Sequence, residues 1–471
     1  MIMSVFWIKA FQLILCFAIL IVLHEGGHFF FSKLFGVRVE KFFMFFDYKF
    51  HLFSTKDKWF TRLFPKMKDN ETEYGIGWIP LGGYVKIAGM IDESLDTEQM
   101  QQPVQPDEFR AKPVWQRFLI MVGGVLVNFL LALFIYAMIL FVWGSNTLPM
   151  QNIHDGFAYN EMAEAIGFRD GDIPVKIDGK AIEGWDGSVY RAISEAKTVT
   201  VLREGHEISI TMPEEGVNLL DMIEQDPRFL SVRVPSRVES VMPESPAALV
   251  GMKSGARILA VEGQDVAWWG DFEQIMGRKA DILATGCSHA DSLRLRALPI
   301  VFINEGSATA DTAVITLTEG YQLGITKLYY TQYYCDAVVH HDYGFWESIP
   351  AGITYGWETL KGYVSDLKYI FTKKGAKSVG SFGTIGNLFP ATWNWEAFWN
   401  ITAFISIILA VMNILPIPGL DGGHIFFLLV EAITRRPPSD KFMERAQYVG
   451  MAILFALMAL ALFNDAVKFL F

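Results

Sequence analysis

His24, Glu25 and His28 stand together in the stretch IVLHEGGHFF, at the end of a run, 11–23, that is almost wholly apolar. On a helix, positions i and i+4 face the same way, so two imidazoles so spaced can take one metal ion. Glu25, one residue on from His24, is placed to reach a water on that ion and act as general base. Ionisable groups in hydrocarbon cost about 2.5–3.5 kcal/mol each on insertion scales, which makes them functional by default. Zinc suits imidazole, and water held by zinc has a pKa of about 7. A metal and its water would therefore compensate the burial of all three groups. The bland reading is a pair of histidines satisfied on a packed helix face.

A hydrolytic zinc needs a third protein ligand and an open fourth position. The stretch MNILPIPGLDGGHIFF, 412–427, offers Asp421 where Pro416, Pro418 and Gly419 break an apolar helix. Non-helical backbone at membrane depth is tolerated only where it is buried in protein or lines a cavity. Asp421 could instead cap the helix that follows it. Asn413, in the same motif, could hydrogen-bond a substrate backbone or simply pack.

The elements that must position these groups are apolar helices. The chain of 471 residues is 52% hydrophobic, and its mean hydropathy is +0.27. Four segments are long and apolar enough to span a bilayer: about 5–31, 118–143, 397–415 and 448–463. The first has no small-residue cleavage site and carries the histidine pair instead. Thirteen Lys or Arg lie from Lys33 to Arg117, and Arg435, Arg436, Lys441 and Arg445 lie between the third and fourth spans. Cationic loops stay in the cytoplasm, so the long segment between the second and third spans is expected outside. The net charge of −11 argues against a nucleic-acid partner. The three cysteines, Cys16, Cys287 and Cys335, form no CxxC pair, which argues against a thiolate zinc site and leaves a pairing of Cys287 with Cys335 open.

The external segment holds a repeat. AEAIGFRDGDIPVKIDGKAIEGW, from Ala163, aligns without gaps on AALVGMKSGARILAVEGQDVAWW, from Ala247, 84 positions later. Each copy reads as a short helix, a glycine turn, a strand and a second tight turn. The run ESPAALVGMKSGARILAVEG resembles the PDZ domain, which binds an extended chain as an added strand. Two structural spacer domains are the alternative. Pro174 in the strand of the first copy departs from the pattern and puts its peptide groove in doubt. After the repeats, 346–374 reads as an amphipathic helix, and the Gly- and Trp-rich 378–395 reads as an interface loop or a plain linker.

Between the first two spans, EYGIGWIPLGGYVKIAGM, 73–90, alternates apolar residues around Gly82 and Gly83. It reads as a β-hairpin that either dips into the membrane interface with a free strand edge or packs on the spans.

HEGGH in the first span, PLGGYVK between spans, NILPIPGLDGGH later and tandem PDZ-like repeats together resemble the bacterial site-2 proteases, of the regulator of sigma-E protease type. The resemblance covers nearly the whole chain in order. It implies that His24, His28 and Asp421 bind Zn2+, that Glu25 is the catalytic base, and that Asn413, Gly82, Gly83 and Tyr84 hold the substrate as a strand. It implies an intramembrane zinc endopeptidase in regulated intramembrane proteolysis. The expected substrate is a single-span membrane protein such as an anti-sigma factor, or a remnant signal peptide, cut after its ectodomain is removed. GSFGTIG carries Phe382 and Thr384 where many relatives have a Gly-Pro pair, so the role of that loop is not carried over.

The expected architecture is a multi-pass α-helical membrane protein of four transmembrane helices, with two α+β PDZ-like domains and a membrane-associated β-hairpin. Its divisions are 1–35, the first span; 36–114, the cytoplasmic segment; 115–143, the second span; 144–232 and 233–320, the PDZ-like domains; 321–396, amphipathic helices and interface loop; 397–433, the third span with the Asp421 motif; and 434–471, the fourth span. A monomer in the bacterial inner membrane, among lipid and with the repeats on the periplasmic side, is expected. Two rivals stand beside this reading: a membrane-tethered PDZ binding protein with an inert HEGGH, and a tethered peptidase whose site faces water.

Overall fold

The computed structural model describes residues 2–67, 70–80, 82–90, 102–225, 227–284, 289–318, 322–370 and 372–470. Cys287 lies outside them. The chain divides into two compact units, Met1–Gly144 with Asp342–Phe471, and Ser145–His341.

In the first unit, four helices are long and apolar enough to cross a membrane: Val5–Leu34, Val114–Trp143, Trp395–Ile414 and Lys441–Lys468. They lie where hydropathy put them, with different ends. The last runs well past the apolar 448–463 at both ends, because helix formation does not stop where the apolar residues stop. The first span belongs to α1 (Ile2–Leu34). The second is α3 (Val114–Trp143).

Between α1 and α3 the hairpin reading fails. The strands are β1 (Val39–Met44), β2 (Phe46–Ser54), β3 (Glu73–Ile79) and β4 (Tyr84–Ile87), with a short helix α2 (Lys58–Leu63) after β2. They form one sheet in the order β2-β3-β1-β4. β1 runs between the two expected hairpin strands, parallel to β3 and antiparallel to β4. The link from β3 to β4 therefore crosses the end of β1 rather than closing a turn. Pro80 has no amide to donate to a two-residue hairpin ladder. Alternation in 73–90 showed two strands but not the third that separates them.

The expected amphipathic helix after the repeats is Phe345–Ile370. The expected loop at 378–395 contains a helix, Phe382–Leu388. Asp465 of the fourth span accepts hydrogen bonds from the amides of Ser381, Gly383 and Thr384, at 3.0–3.2 Å, and so satisfies the amides at the start of that helix.

In the second unit, the two repeats fold alike. The first sheet runs His206–Thr211, Thr198–Arg203, Ile173–Ile177, Lys180–Ala181; the second runs Asp311–Thr316, Ala297–Ile303, Arg257–Val261, Gln264–Asp265. Each repeat also pairs its opening strand with its closing one, Phe157–Tyr159 with Leu230–Val232 and Val238–Val241 with Ile325–Lys327. That last pairing carries the second repeat past the expected boundary at 320. Both tight turns place two residues at positive φ, Asp178-Gly179 and Glu262-Gly263, the requirement of a type I′ hairpin. Pro174 sits beside a register shift in its strand, where a missing donor is tolerated.

Candidate metal centre

α1 presents His24 and His28 on one face, and both rings meet Asp421. His24 Nε2 lies 3.2 Å from Asp421 Oδ2, and His28 Nε2 lies 3.3 Å from the same oxygen. The two Nε2 atoms are 3.4 Å apart. Three ligand atoms held at about 2.0–2.2 Å from one ion in a tetrahedral array stand about 3.3–3.6 Å from each other. The triangle observed has that size. Asp421 Oδ2 is buried with no hydrogen-bond partner, although two ring nitrogens are close to it. A plain ion pair would align a ring N–H on this oxygen; a shared cation needs no such alignment. The residues present therefore fit a zinc ion.

Each ring is oriented from behind by α3. His28 Nδ1 is 2.8 Å from the Ile120 carbonyl, which can only accept, so Nδ1 carries the proton and the Nε2 lone pair faces Asp421. The Asn128 side-chain amide faces His24 Nδ1 at 3.3 Å. With its oxygen turned to the ring, this amide would accept the Nδ1 proton and free Nε2. Ser406 of the third span donates to the Asn128 carbonyl at 2.7 Å.

The helices approach this closely because α3 is bare at the crossing. A Cβ on Gly124 would overlap His28 Nε2 and come within 2.7 Å of the His24 ring, and one on Gly123 would stand 2.7 Å from the Gly27 carbonyl. Gly123, Gly124 and Asn128 were not among the residues expected from sequence. A Gly-Gly pair and a lone Asn inside an apolar span are the signal that could have found them, because small residues admit close crossings and polar ones are rare there.

Asp421 reaches the site because the third span stops at Ile414. Residues 415–420 turn the chain, with Gly419 at φ +98°, and Asp421 opens the helix Asp421–Thr434. Leu420 holds the cap position, so Asp421 is not the cap. Ten residues along that helix, Glu431 accepts a two-pronged pair of hydrogen bonds from Arg117 of α3, at 2.6 and 3.1 Å. Asn413, in the last turn of the third span, places Nδ2 3.4 Å from His24 Nε2.

The remaining expected residues lie on the neighbouring sheet. A Cβ on Gly83 would come within 2.6 Å of Ile21 of α1 and 2.8 Å of the Phe43 carbonyl, so this crossing admits only glycine. Gly82 lies against the Phe46 ring. Tyr84 donates to Asp47 at 3.0 Å and stacks on Phe43. One residue further, the Val85 backbone faces the Glu25 carboxylate, so β4 passes beside the expected base. β4 is the edge of its sheet, with no strand on its outer side among the described residues.

A sequence model of peptidase family M50 matches residues 12–457. The regulator of sigma-E protease RseP of Escherichia coli is 28% identical over 500 residues, covering 98% of this chain and 99% of that protein. Protease RseP of Yersinia pestis is 28% identical over 488 residues, covering 98% and 99%. A protein of Vibrio cholerae whose name carries the words zinc metalloprotease is 27% identical over 478 residues, covering 96% and 97%.

Proposed function

The chain belongs to peptidase family M50 and is a zinc metalloprotease, and from that premise we propose that it cuts a membrane-spanning segment of another protein inside the bilayer. His24, His28 and Asp421 would hold the zinc ion, Glu25 would be the general base, and Asn413 would orient the substrate backbone. The observation that carries the reading is the triangle of ligand atoms on apolar helices, with an edge strand beside Glu25.

A helical substrate shields its amides with its own hydrogen bonds and must unwind before it can be cut. The outer edge of β4 offers main-chain partners to the unwound stretch. Gly82 and Gly83 let the chain that enters β4 pack closely on Phe46, Ile21 and Phe43, and Tyr84 fixes that entry through Asp47. Glu25 takes a proton from the attacking water and returns it to the leaving amine. When bound, zinc polarises the scissile carbonyl and makes water acidic enough to be activated near neutral pH.

The cationic segments between spans place the sheet in the cytoplasm and the two repeats outside, on the periplasmic side of a bacterial inner membrane. The repeats, read as PDZ-like, would admit only chains whose bulky ectodomain has been removed. A single-span protein of the anti-sigma class fits, as the names of the sigma-E relatives suggest, and so does a remnant signal peptide.

The test is cleavage in detergent of a single-span substrate and of a soluble one. Cleavage of the first alone is expected, lost with chelator, restored by zinc, and absent in Glu25→Gln with zinc still bound. Cutting by Glu25→Gln, or a preference for the soluble chain, would overturn the reading.

A further inference from the structure

The segment after β2 has a surface that the chemistry above does not use. Trp59, Leu63 and Phe64 are 57%, 66% and 54% exposed, although they are among the most apolar residue types. Tyr48, Phe50 and Leu52 of β2 are exposed beside them, and Phe50 stacks on Trp78 with ring centroids 5.2 Å apart. Exposed apolar area on this scale marks an interaction surface rather than ordinary solvent contact.

Basic residues interleave with it. Lys58, Arg62 and Lys66 recur every fourth position next to Trp59 and Leu63, and none makes a salt bridge among the described residues. From 56 to 66 the chain has Lys56, Lys58, Arg62 and Lys66 against Asp57 alone, a net +3. Asp57 is itself engaged by His51 at 2.9 Å, which holds its carboxyl below the usual range. An apolar stripe of Trp, Leu and Phe flanked by cations is the pattern of a helix lying in a bilayer interface.

Position agrees with that pattern. Thr55 bonds Tyr74, Tyr74 pairs with Phe42, Phe42 pairs with Val85, and Val85 faces Glu25, so Thr55, three residues before α2, stands at the register of Glu25. Glu25 lies five to six residues from the midpoint of Val5–Leu34, about 8 Å at 1.5 Å per residue. That is about 7 Å inside the edge of a hydrocarbon core about 30 Å thick, within reach of snorkelling cations. β2 and β4 are separated by two strands, about 14 Å, which sets the start of α2 sideways from the strand that packs on α1.

We propose that the β2–α2 segment docks on anionic phospholipid, with Trp59, Leu63 and Phe64 in the acyl boundary and Lys58, Arg62 and Lys66 on headgroup phosphates. The inference rests on the transmembrane reading of α1 given above. Because β2 and β4 share one sheet, this docking also fixes the strand edge beside Glu25.

The test places a nitroxide on Leu63→Cys in the full chain, with the three native cysteines replaced and the protein in nanodiscs. The discs contain phosphatidylcholine alone or with about a third phosphatidylglycerol. A label at Leu249, 80% exposed in the second unit, is the aqueous reference. Shielding of position 63 from a water-soluble nickel relaxant is expected, with oxygen access retained and the shielding stronger with phosphatidylglycerol. Reversing Lys58, Arg62 and Lys66 to Glu should raise nickel access severalfold. Nickel access at 63 equal to that at 249 would overturn the proposal, and so would indifference to lipid charge and to the reversal. Phe64→Cys gives an independent second reading. Ascorbate reduction in sealed vesicles reports sidedness separately, so a wrong orientation is distinguishable from absent docking.

Discussion

His24 and His28 meet Asp421 where α3 backs both rings with buried partners, whereas Gly82, Gly83 and Tyr84 lead into β4, an edge strand at the opposite side of its sheet from the exposed aromatics of β2. The ligand side is built from close helix crossings, in which each ring nitrogen away from Asp421 is already engaged. The strand side ends in β4, beyond which no further strand lies among the described residues. The difference separates two tasks. Holding a metal needs fixed donors, because a coordination triangle tolerates little displacement. Receiving an unfolded chain needs unused main-chain groups, which a closed packing arrangement would have consumed.

Substitutions at four positions test that separation. Asp421→Asn should weaken zinc binding the most, by more than about 100-fold, beyond the range for loss of an outer-shell partner; metal analysis under chelator competition reads it. Gly124→Ala should lower zinc affinity by about 100-fold, because its methyl enters the space of His28 Nε2, although alanine is the better helix former by about 1 kcal/mol. A thermal midpoint that holds or rises while zinc is lost would show that the glycine serves the site, not the helix. Arg117→Ala should destabilise the first unit by about 3 kcal/mol, since it strands the buried Glu431 carboxylate. Arg117→Lys should cost less than that, because it keeps the charge and gives up the fork. Gly83→Ala belongs to the strand side and should leave zinc content unchanged while cleavage falls about tenfold, the loss expected from small displacements of a bound substrate. Zinc loss in Gly83→Ala would merge the two sides into one.

Which parts were legible follows from the range of the interaction that fixes them. The HEGGH helix, the four spans and the matched turns at Gly179 and Gly263 all depend on residues within a few positions of each other. The β1 strand was missed because nothing in VEKFFM says it will separate β3 from β4. The helix at Phe382–Leu388 was missed because its start is satisfied by Asp465, more than eighty positions away. Asn128 was passed over as one polar residue in an apolar run, since its partner His24 lies 104 positions earlier.

By itself, the amino-acid order determined which side chains could bind zinc, how many helices could cross a bilayer, and that one small fold occurs twice, since periodicity and turn chemistry act over a few residues. Only the tertiary structure decided that Asp421 closes the triangle with His24 and His28, that Gly124 makes room for them, and that Val85 brings a strand edge to Glu25. Those contacts join segments up to nearly four hundred residues apart, and local preference cannot encode a meeting whose geometry depends on how all the intervening helices and strands pack.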